Sequence, residues 1–312
     1  MQEFYNRFNL WLPSPLQKIN FPDVNYTMYV KRDDLIHWDI SGNKFRKLKY
    51  NLIEYFKGGY NGMVAFGGAF SNLLYTLSVI SAGMNIPMTF YIRGDGYDPR
   101  NPTLRFIKSN GVKMVFMSRK AFKELREQGF EQQMAKIHPG AYIIPEGGSN
   151  SLAVPGSAEI VKEIVEQLHF PPEHIVMDLG TGGTFAGVLS ALPPETKLTG
   201  IAALKGVDWN KTLSKILGDK KYLLNEKNWT VTEDYHFGGF AKFDLRLIDF
   251  INNFKRRYGI PLDPIYTGKL VYGLFDLIDK KYFDEDTTIV WVHGGGLQGI
   301  AGFNYIHGEL VK

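Results

Sequence analysis

The chain has 312 residues, of which 44% are hydrophobic and 22% charged, a globular composition that suits one large domain or two ordinary ones. The net charge of +4 is too small over this length to favour nucleic acid as a partner. The absence of cysteine excludes disulfides, thiol nucleophiles and thiolate metal sites, and we predict no metal site of any kind.

The N-terminal stretch MQEFYNRFNLWLPSP lacks the apolar segment of a signal peptide, and no apolar run is long enough to cross a bilayer. The lack of cysteine also suits a reducing compartment. We therefore expect a cytoplasmic protein with no membrane partner.

Strand and helix patterns alternate along the chain. In the first half they are the strand YTMYV, the helix Lys44 to Phe56, the strand MVAF, the helix LLYTLSVISAGM, the strand MTFYI, the helix PTLRFIKSNG, the strand KMVFM, the long helix RKAFKELREQGFEQQMAKI and the strand AYIIPEGG. In the second half they are the helix SAEIVKEIVEQL, the strand HIVMDLG, the helix FAGVLSAL, the strand KLTGIAAL, the helix DLRLIDFINNFKRRYG, the helix LVYGLFDLIDKKYF, the strand TTIVWVHGGG and a short closing helix. The stretch from about residue 205 to 243 has no clear pattern.

This alternation predicts an α/β fold with two open, twisted parallel-sheet domains, helices on both faces and a cleft between the domains. We place the larger domain in residues 1–52 and 153–312. A smaller inserted α/β domain is placed in residues 53–152.

Three cations, Lys44, Arg46 and Lys47, lie at the start of the first predicted helix, in the stretch SGNKFRKLKYN. The N-terminal end of a helix carries partial positive charge, so cations are unfavourable there unless an anion is near. Either these side chains extend into water, or the site holds an anion. Lys44 and Lys47 are three residues apart and share one helix face.

A glycine loop, DLGTGGTFAG from Asp178, joins a predicted strand to a helix. Its backbone N–H groups and the hydroxyls of Thr181 and Thr184 can bind an anion, although the same loop can be an ordinary turn. The Walker pattern is excluded because the loop has no lysine, and the dinucleotide pattern because Phe185 replaces its third glycine. A phosphate monoester is the simplest ligand.

Three more glycine loops, FGGAFSNLLY, PEGGSNSLAVPG and VHGGGLQG, also follow predicted strands. Because the carboxyl ends of parallel strands face the ligand crevice, their recurrence favours a binding cleft. An aldehyde cofactor that carries a phosphate would need a lysine for a Schiff base and a cation for its phosphate. Lys44 and Lys47 would supply the two.

The segments KRDD, SGNKFRKLKYN, GGAFSN, GTGGTFAG, DPIYTGK and VHGGG occur here in the order typical of one enzyme family. From about Val30 to Gly296 the chain resembles the pyridoxal-phosphate enzymes that include 1-aminocyclopropane-1-carboxylate (ACC) deaminase and D-cysteine desulfhydrase. The resemblance implies the tryptophan-synthase-β-like fold (fold type II), pyridoxal 5'-phosphate as cofactor, a small amino acid as substrate and a homodimer.

The resemblance also implies roles for particular residues. Lys44 would form the Schiff base, Asn72 would contact the ring hydroxyl, and Tyr266 would lie against cofactor and substrate. Ser71 would lie beside the substrate carboxylate or Cα. The implied phosphate site consists of Lys47, Thr181, Gly182, Gly183 and Thr184.

The chain departs from the family pattern at the pyridine nitrogen. Thr267 stands where ACC deaminases carry a glutamate, and Gly294 where desulfhydrases carry a threonine, each of which serves that nitrogen. Phe240 replaces a second tyrosine, and Phe70 and Leu73 replace a glutamine and a histidine. These departures predict a weak electron sink and an apolar cleft, hence slow elimination or a substrate with a better leaving group or a more acidic Cα proton.

The leading hypothesis is a pyridoxal-phosphate lyase that resembles D-cysteine desulfhydrase and releases a 2-keto acid and ammonia. ACC deaminase is the second hypothesis within the family, although ACC has no Cα proton and the glutamate is missing. Two hypotheses from outside this chemistry are a phosphate-binding module and a degenerate homologue without turnover. Either Lys44 or Ser71 would be the base.

Overall fold

The computed structural model describes residues 1–21, 25–40, 42–94, 96–225 and 227–312. Ser41, the first residue of the lysine-bearing motif, therefore lies outside the described residues. The strands are β1 (Leu16–Ile19), β2 (Thr27–Lys31), β3 (Met63–Gly68), β4 (Met88–Arg93), β5 (Lys113–Met117), β6 (Tyr142–Ile144), β7 (His174–Leu179), β8 (Lys197–Ala202), β9 (Trp229–Thr232) and β10 (Thr288–Val292).

The α-helices cover both faces of the sheets. They are α1 (Gln2–Phe8), α2 (Gly42–Lys57), α3 (Asn72–Met84), α4 (Pro102–Ser109), α5 (Arg119–Glu127), α6 (Phe130–Ile137), α7 (Ala153–Leu168), α8 (Gly183–Leu189), α9 (Trp209–Leu217), α10 (Leu245–Tyr258), α11 (Thr267–Asp279) and α12 (Gly299–His307). In the part of the chain that is described, no helix is both long and apolar enough to cross a membrane.

The strands form two sheets, and the α/β prediction is confirmed. The larger sheet has the order β1-β2-β10-β7-β8-β9, and the smaller has the order β5-β4-β3-β6. Every pairing is parallel except that of β1 with β2. The strands of the smaller sheet are consecutive in the chain, between α2 and α7.

The side chains of β7 pack alternately in two hydrophobic cores, because successive residues of a strand point to opposite faces of the sheet. Val176 packs in the core beneath α10 and α11. Ile175, Met177 and Leu179 pack in the core beneath α7, α8 and α9. Such burial on both faces explains the continuous apolar run that predicted this strand.

Helix α2 contacts both parts of the molecule. Its apolar stripe of Phe45, Leu48 and Leu52 packs in the core of the smaller sheet. On another side it lies against α7, where a Cβ added to Gly156 would be 2.1 Å from the carbonyl oxygen of Arg46. Only glycine permits this close approach.

Two parts of the chain differ from the prediction. The single long helix expected after β5 is two helices, because Gly129 has a φ of 85° and breaks the chain between α5 and α6. The stretch without a clear pattern contains α9 and β9. Its strand has only four residues, too few to show a periodicity.

Candidate active site

Loops at the carboxyl ends of β3, β6, β7 and β10 meet the first turns of α2 and α11. The amide N–H of Asn43 donates to the carbonyl oxygen of Gly294 at 3.0 Å, which docks the start of α2 on the loop after β10. A Cβ on Gly42, whose φ is 60°, would be 2.0 Å from the same oxygen. This contact therefore requires glycine at position 42.

Lys44 is half-buried at this junction, and its Nζ donates to Asn43 Oδ1 at 2.6 Å. Burial lowers the pKa of the Lys44 ammonium, while the carboxylates of Asp178 and Asp263 partly offset the shift. A lysine with a lowered pKa is more often a neutral amine, the form that reacts with a carbonyl carbon or accepts a proton.

Lys47 lies one helical turn further, among oxygen atoms. Its Nζ donates to the carbonyl oxygen of Gly147 and, at 3.3 Å each, to Ser149 Oγ and Thr181 Oγ1. The Ser149 and Thr181 hydroxyls are 2.7 Å apart. Burial, together with the neighbouring Lys44, holds the pKa of Lys47 well below its usual range. An anion bound here would restore the charge of this lysine.

The space around Lys47 depends on small residues of the loop after β7. A Cβ on Gly183 would be 2.6 Å from Ser149 Oγ and 2.8 Å from Lys47 Cδ. Gly182, with a φ of 85°, caps α8, and Thr184 is buried in its first turn. A cation, two hydroxyls and a glycine turn together fit a phosphate group.

Ser149 is a contributor that the sequence analysis missed. It follows the glycine pair of the PEGGSNSLAVPG loop, which was identified only as a glycine loop after a strand. A hydroxyl directly after such a pair at the edge of the sheet is the signal that could have identified it.

Ser71 and Asn72 lie at the end of the loop that follows β3. Ser71 Oγ accepts a hydrogen bond from the Leu74 amide at 3.3 Å and so caps α3. The Asn72 amide lies against the loop after β10, because a Cβ on Gly296 would be 2.7 Å from Asn72 Nδ2. The loop after β10 therefore contacts both Asn43 and Asn72.

Tyr266 closes another side of the cleft. A Cβ on Gly180 would be 2.9 Å from Tyr266 Cε1, so the ring covers the start of the glycine loop. The Phe240 ring lies 6.1 Å from it, centroid to centroid. Burial raises the pKa of the Tyr266 hydroxyl, which therefore remains protonated at neutral pH.

Lys269 donates to the carbonyl oxygens of His236 and Gly239 at 2.9 Å each, which holds the Phe240 loop.

Thr267 has a structural partner. Its Oγ1 donates to Asp263 Oδ2 at 2.7 Å, and its amide donates to the same carboxylate oxygen at 2.9 Å. Asp263 Oδ1 accepts from the amides of Ile265 and Tyr266. The motif DPIYTGK thus builds the N-terminal end of α11 and fixes the backbone of Tyr266.

Arg46 corrects the expectation that a cofactor anion explains all three cations of α2. Its guanidinium bonds to Asp33 at 2.8 Å and to Glu163 at 2.6 Å, and burial leaves none of it in water. Lys31 also pairs with Glu163, at 2.7 Å. The anions that balance Arg46 are therefore carboxylates of the chain, supplied by the KRDD segment and by α7.

Asp178 is a second residue whose position the sequence did not reveal. It ends the apolar run of β7 and is 8% exposed. Burial and the nearby Asp263 raise the pKa of its carboxyl to about 6, against the opposing effect of Lys44. A carboxyl with this pKa can carry or release a proton near neutral pH.

The fold and the cleft are those of an α/β enzyme whose cofactor carries a phosphate. A model of the pyridoxal-phosphate dependent enzyme family matches residues 8–295, and the chain belongs to that family, with pyridoxal phosphate as its cofactor. The resemblance inferred from the motifs is therefore confirmed.

Individual relatives fall within one branch. The chain is 30% identical to a Pyrococcus horikoshii protein named as a candidate 1-aminocyclopropane-1-carboxylate deaminase, over 89% of this chain and 86% of that protein. It is 28% identical to the bifunctional D-cysteine desulfhydrase/1-aminocyclopropane-1-carboxylate deaminase of Arabidopsis thaliana, over 93% and 77% of the two chains. A crystal structure of an ACC deaminase homologue superposes with a TM-score of 0.80 at 26% identity, covering 98% and 99%.

Proposed function

We propose that the chain is a pyridoxal-phosphate-dependent lyase that eliminates the β-substituent of a small D-amino acid such as D-cysteine. The observation that carries this proposal is a half-buried lysine, Lys44, one helical turn from a buried lysine, Lys47, with hydroxyls and a glycine turn around the second. The first lysine suits a covalent bond to an aldehyde, and the second suits a phosphate. The net reaction converts D-cysteine and water into pyruvate, ammonia and hydrogen sulfide.

Different residues around the cleft would bind different parts of the cofactor. Lys47, the hydroxyl of Ser149 and the loop from Thr181 to Thr184 would hold its phosphate, and Lys44 would bond to its aldehyde carbon. Asn72 would contact the ring hydroxyl, and Tyr266 would cover the ring. When bound, pyridoxal phosphate supplies an electron-accepting ring that stabilises negative charge at the substrate Cα.

The chain's own part in the reaction is proton transfer and positioning. Lys44, with its lowered pKa, is the better base for the Cα proton, since among the described residues no basic side chain hydrogen-bonds to the Ser71 hydroxyl, which accepts a hydrogen bond from α3. Lys44 Nζ, freed once the substrate amine has replaced it on the aldehyde carbon, would accept the Cα proton, and the thiolate would leave Cβ. Phe70, on the same loop as Ser71, lies against α12, since a Cβ on Gly302 would be 2.5 Å from Phe70 Cδ1.

ACC deaminase remains the second candidate, because the relatives carry that name. Opening the ring of ACC requires help from acid groups, since this substrate has no Cα proton. Thr267 replaces the family glutamate, and its hydroxyl is already used by Asp263. This contact disfavours ACC as a substrate.

The test is keto-acid release by the purified protein loaded with pyridoxal phosphate, with D-cysteine, L-cysteine and ACC measured side by side. Lys44→Ala should abolish turnover and the yellow colour. Lys49→Ala is the matched control, since Lys49 is on the same helix but pairs with Glu159. Pyruvate from D-cysteine alone is the expected result.

Each different outcome has a separate meaning. Release of 2-ketobutyrate from ACC would establish a deaminase. A yellow protein that is silent with all three substrates would indicate a degenerate homologue or an unrelated substrate. If the wild type never turns yellow with pyridoxal phosphate, and the Lys44→Ala variant binds the same ligand as well as the wild type does, the chain is a phosphate-binding module.

We also propose a cytoplasmic homodimer. The support for a dimer is a group of exposed apolar side chains, Trp11, Leu35 and Trp38, the last 94% exposed. The amide of Trp11 donates to Ile36, which brings these two segments together. Sedimentation velocity of the wild type and of Trp38→Asp would test the proposal, since a monomeric wild type would overturn it.

A further inference from the structure

The missing hydroxyl at position 294 leaves a space that another residue fills. A Cβ built on Gly294 would be 3.1 Å from Asp178 Oδ1 and 3.1 Å from Asn43 Nδ2. Strands β7 and β10 are neighbours, with Met177 opposite Val292. The Asp178 carboxylate thus lies where a side chain on residue 294 would begin.

The direction of Asp178 follows from strand alternation. It shares the face of Val176, which packs beneath α11, whereas Met177 and Leu179 face the other core. Asp263 and Tyr266 lie just before α11: burial and Asp263 raise the pKa of the Asp178 carboxyl, and burial, Asp263 and Asp178 raise the pKa of the Tyr266 hydroxyl. The carboxylate therefore lies on the α11 side of the sheet, beside Gly294 at the edge that borders the cleft, and not on the side covered by α7, α8 and α9.

Asp178 has no partner that explains its burial. Within the ranges that the structure describes, no donor lies within hydrogen-bond distance of the carboxylate and no cation forms an ion pair with it. A buried carboxylate without a partner is costly, so its place in the cleft indicates a ligand that supplies a proton or a positive charge.

We infer that Asp178 is the residue that faces the pyridine nitrogen of the cofactor, in place of the hydroxyl that position 294 lacks. This inference rests on the proposed function. A hydroxyl can bond to a neutral pyridine nitrogen, whereas a carboxylate accepts a hydrogen bond only from the protonated ring. Asp178 would hold that proton by a charge-assisted bond.

The consequence reverses an expectation drawn from the sequence. The loss of both familiar partners of the nitrogen predicted a weak electron sink. A protonated ring withdraws electrons more strongly than a neutral one, so Asp178 would make the sink stronger and favour elimination. The carboxylate of Asp178 would then stand in for the hydroxyl that position 294 lacks, a charged partner in place of a neutral one.

The test is the protonation state of pyridoxal phosphate labelled with ¹⁵N in its ring, bound to the wild type and to Asp178→Asn. The ¹⁵N chemical shift separates the protonated from the neutral ring, and it does not depend on turnover. We expect a protonated nitrogen in the wild type up to about pH 8 and a neutral one in the Asn variant. We also expect a fall in kcat for D-cysteine of about 100-fold, the scale of one lost stabilising contact at a reacting centre.

Two further variants separate positioning from folding. Asp178→Glu should restore protonation of the ring, at least in part. The double variant Asp178→Ala/Gly294→Thr should retain the cofactor with a neutral nitrogen, since a hydroxyl returns to position 294. A purely structural role for Asp178 would leave the ¹⁵N shift the same in all variants that bind the cofactor.

The possible failures are distinct. If the wild type binds pyridoxal phosphate and its nitrogen is neutral, or if Asp178→Asn leaves the shift unchanged, the role of Asp178 is overturned and the proposed function stands. If the wild type does not bind pyridoxal phosphate, both are overturned.

Discussion

Three residues in the cleft have ionisable side chains whose charged form is disfavoured by burial in the cofactor-free fold. Lys44, Lys47 and Asp178 all have pKa values shifted by burial toward the neutral form. Such groups cost stability and are typical of sites that a ligand completes. At this scale we make one prediction about the affinity for the cofactor and one about the free energy of unfolding.

Replacing Lys47 with Met should weaken binding of pyridoxal phosphate about 10- to 100-fold, since one charge-assisted bond to the phosphate is lost. Titration followed by cofactor absorbance measures the effect. Lys49→Met should bind like the wild type because Lys49 pairs with Glu159 outside the cleft. Equal affinity of Lys47→Met and the wild type would remove Lys47 from the phosphate site.

Asp178→Asn should stabilise the cofactor-free protein at high pH. The pKa of this carboxyl is about 6 in the fold, and its usual value is 3.8, so the fold loses free energy as the pH rises from about 4 to about 6, and the loss is complete above that pH. The cost is of order 2–3 kcal/mol at pH 8 and vanishes below about pH 4. Urea unfolding at about pH 4 and about pH 8 measures this. An equal gain at both pH values would show that charge is not the cause.

At the scale of elements, the contact between α2 and α7 fixes the lysines. The network of Arg46, Asp33, Glu163 and Lys31 ties α2 and the KRDD segment to α7. Lys31, Asp33 and Arg46 belong to the motifs that resemble the family, yet the ion pairs described for them are with one another and with α7. These motif residues therefore position the helix that carries Lys44 and Lys47.

Arg46→Met should lower the free energy of unfolding by about 3–5 kcal/mol, because it leaves the buried Asp33 without its cation and Glu163 with Lys31 alone. Denaturant unfolding is the measurement. Lys120→Met is the control, since Lys120 pairs with Glu124 on an exposed helix face and should change stability by less than about 1 kcal/mol. A similarly small change in Arg46→Met would refute a structural role for the network.

At the scale of the whole molecule, the proposed phosphate site lies between the two sheets. Gly147 and Ser149 follow β6 of the smaller sheet, whereas Thr181 follows β7 of the larger one, and Lys47 bonds to all three. A ligand here contacts both parts of the chain. The division into residues 53–152 and the remainder stays a prediction, which limited proteolysis near residues 53 and 152 would test.

Pyridoxal phosphate should therefore raise the melting temperature of the protein in a concentration-dependent manner, with about 2.7 kcal/mol of stabilisation at one hundred times its dissociation constant. Pyridoxal without phosphate should stabilise less, since it cannot engage Lys47. Differential scanning calorimetry compares the two. Equal stabilisation by both compounds would contradict a phosphate site that joins the sheets.

The sequence by itself determined the α/β class, most of the elements and the family, because hydrophobic periodicity and glycine after a strand are local signals. It also identified Lys44, Lys47 and the glycine loops as candidates. Only the tertiary structure decided which groups meet: Ser149 with Lys47, Arg46 with Glu163, and Asp178 with the space beside Gly294. These pairs are far apart in the chain: the ends of parallel strands bring Ser149 and Asp178 to one edge of the sheets, and the packing of α2 on α7 brings Arg46 to Glu163. No local pattern encodes such a contact, because the packing of whole elements creates it.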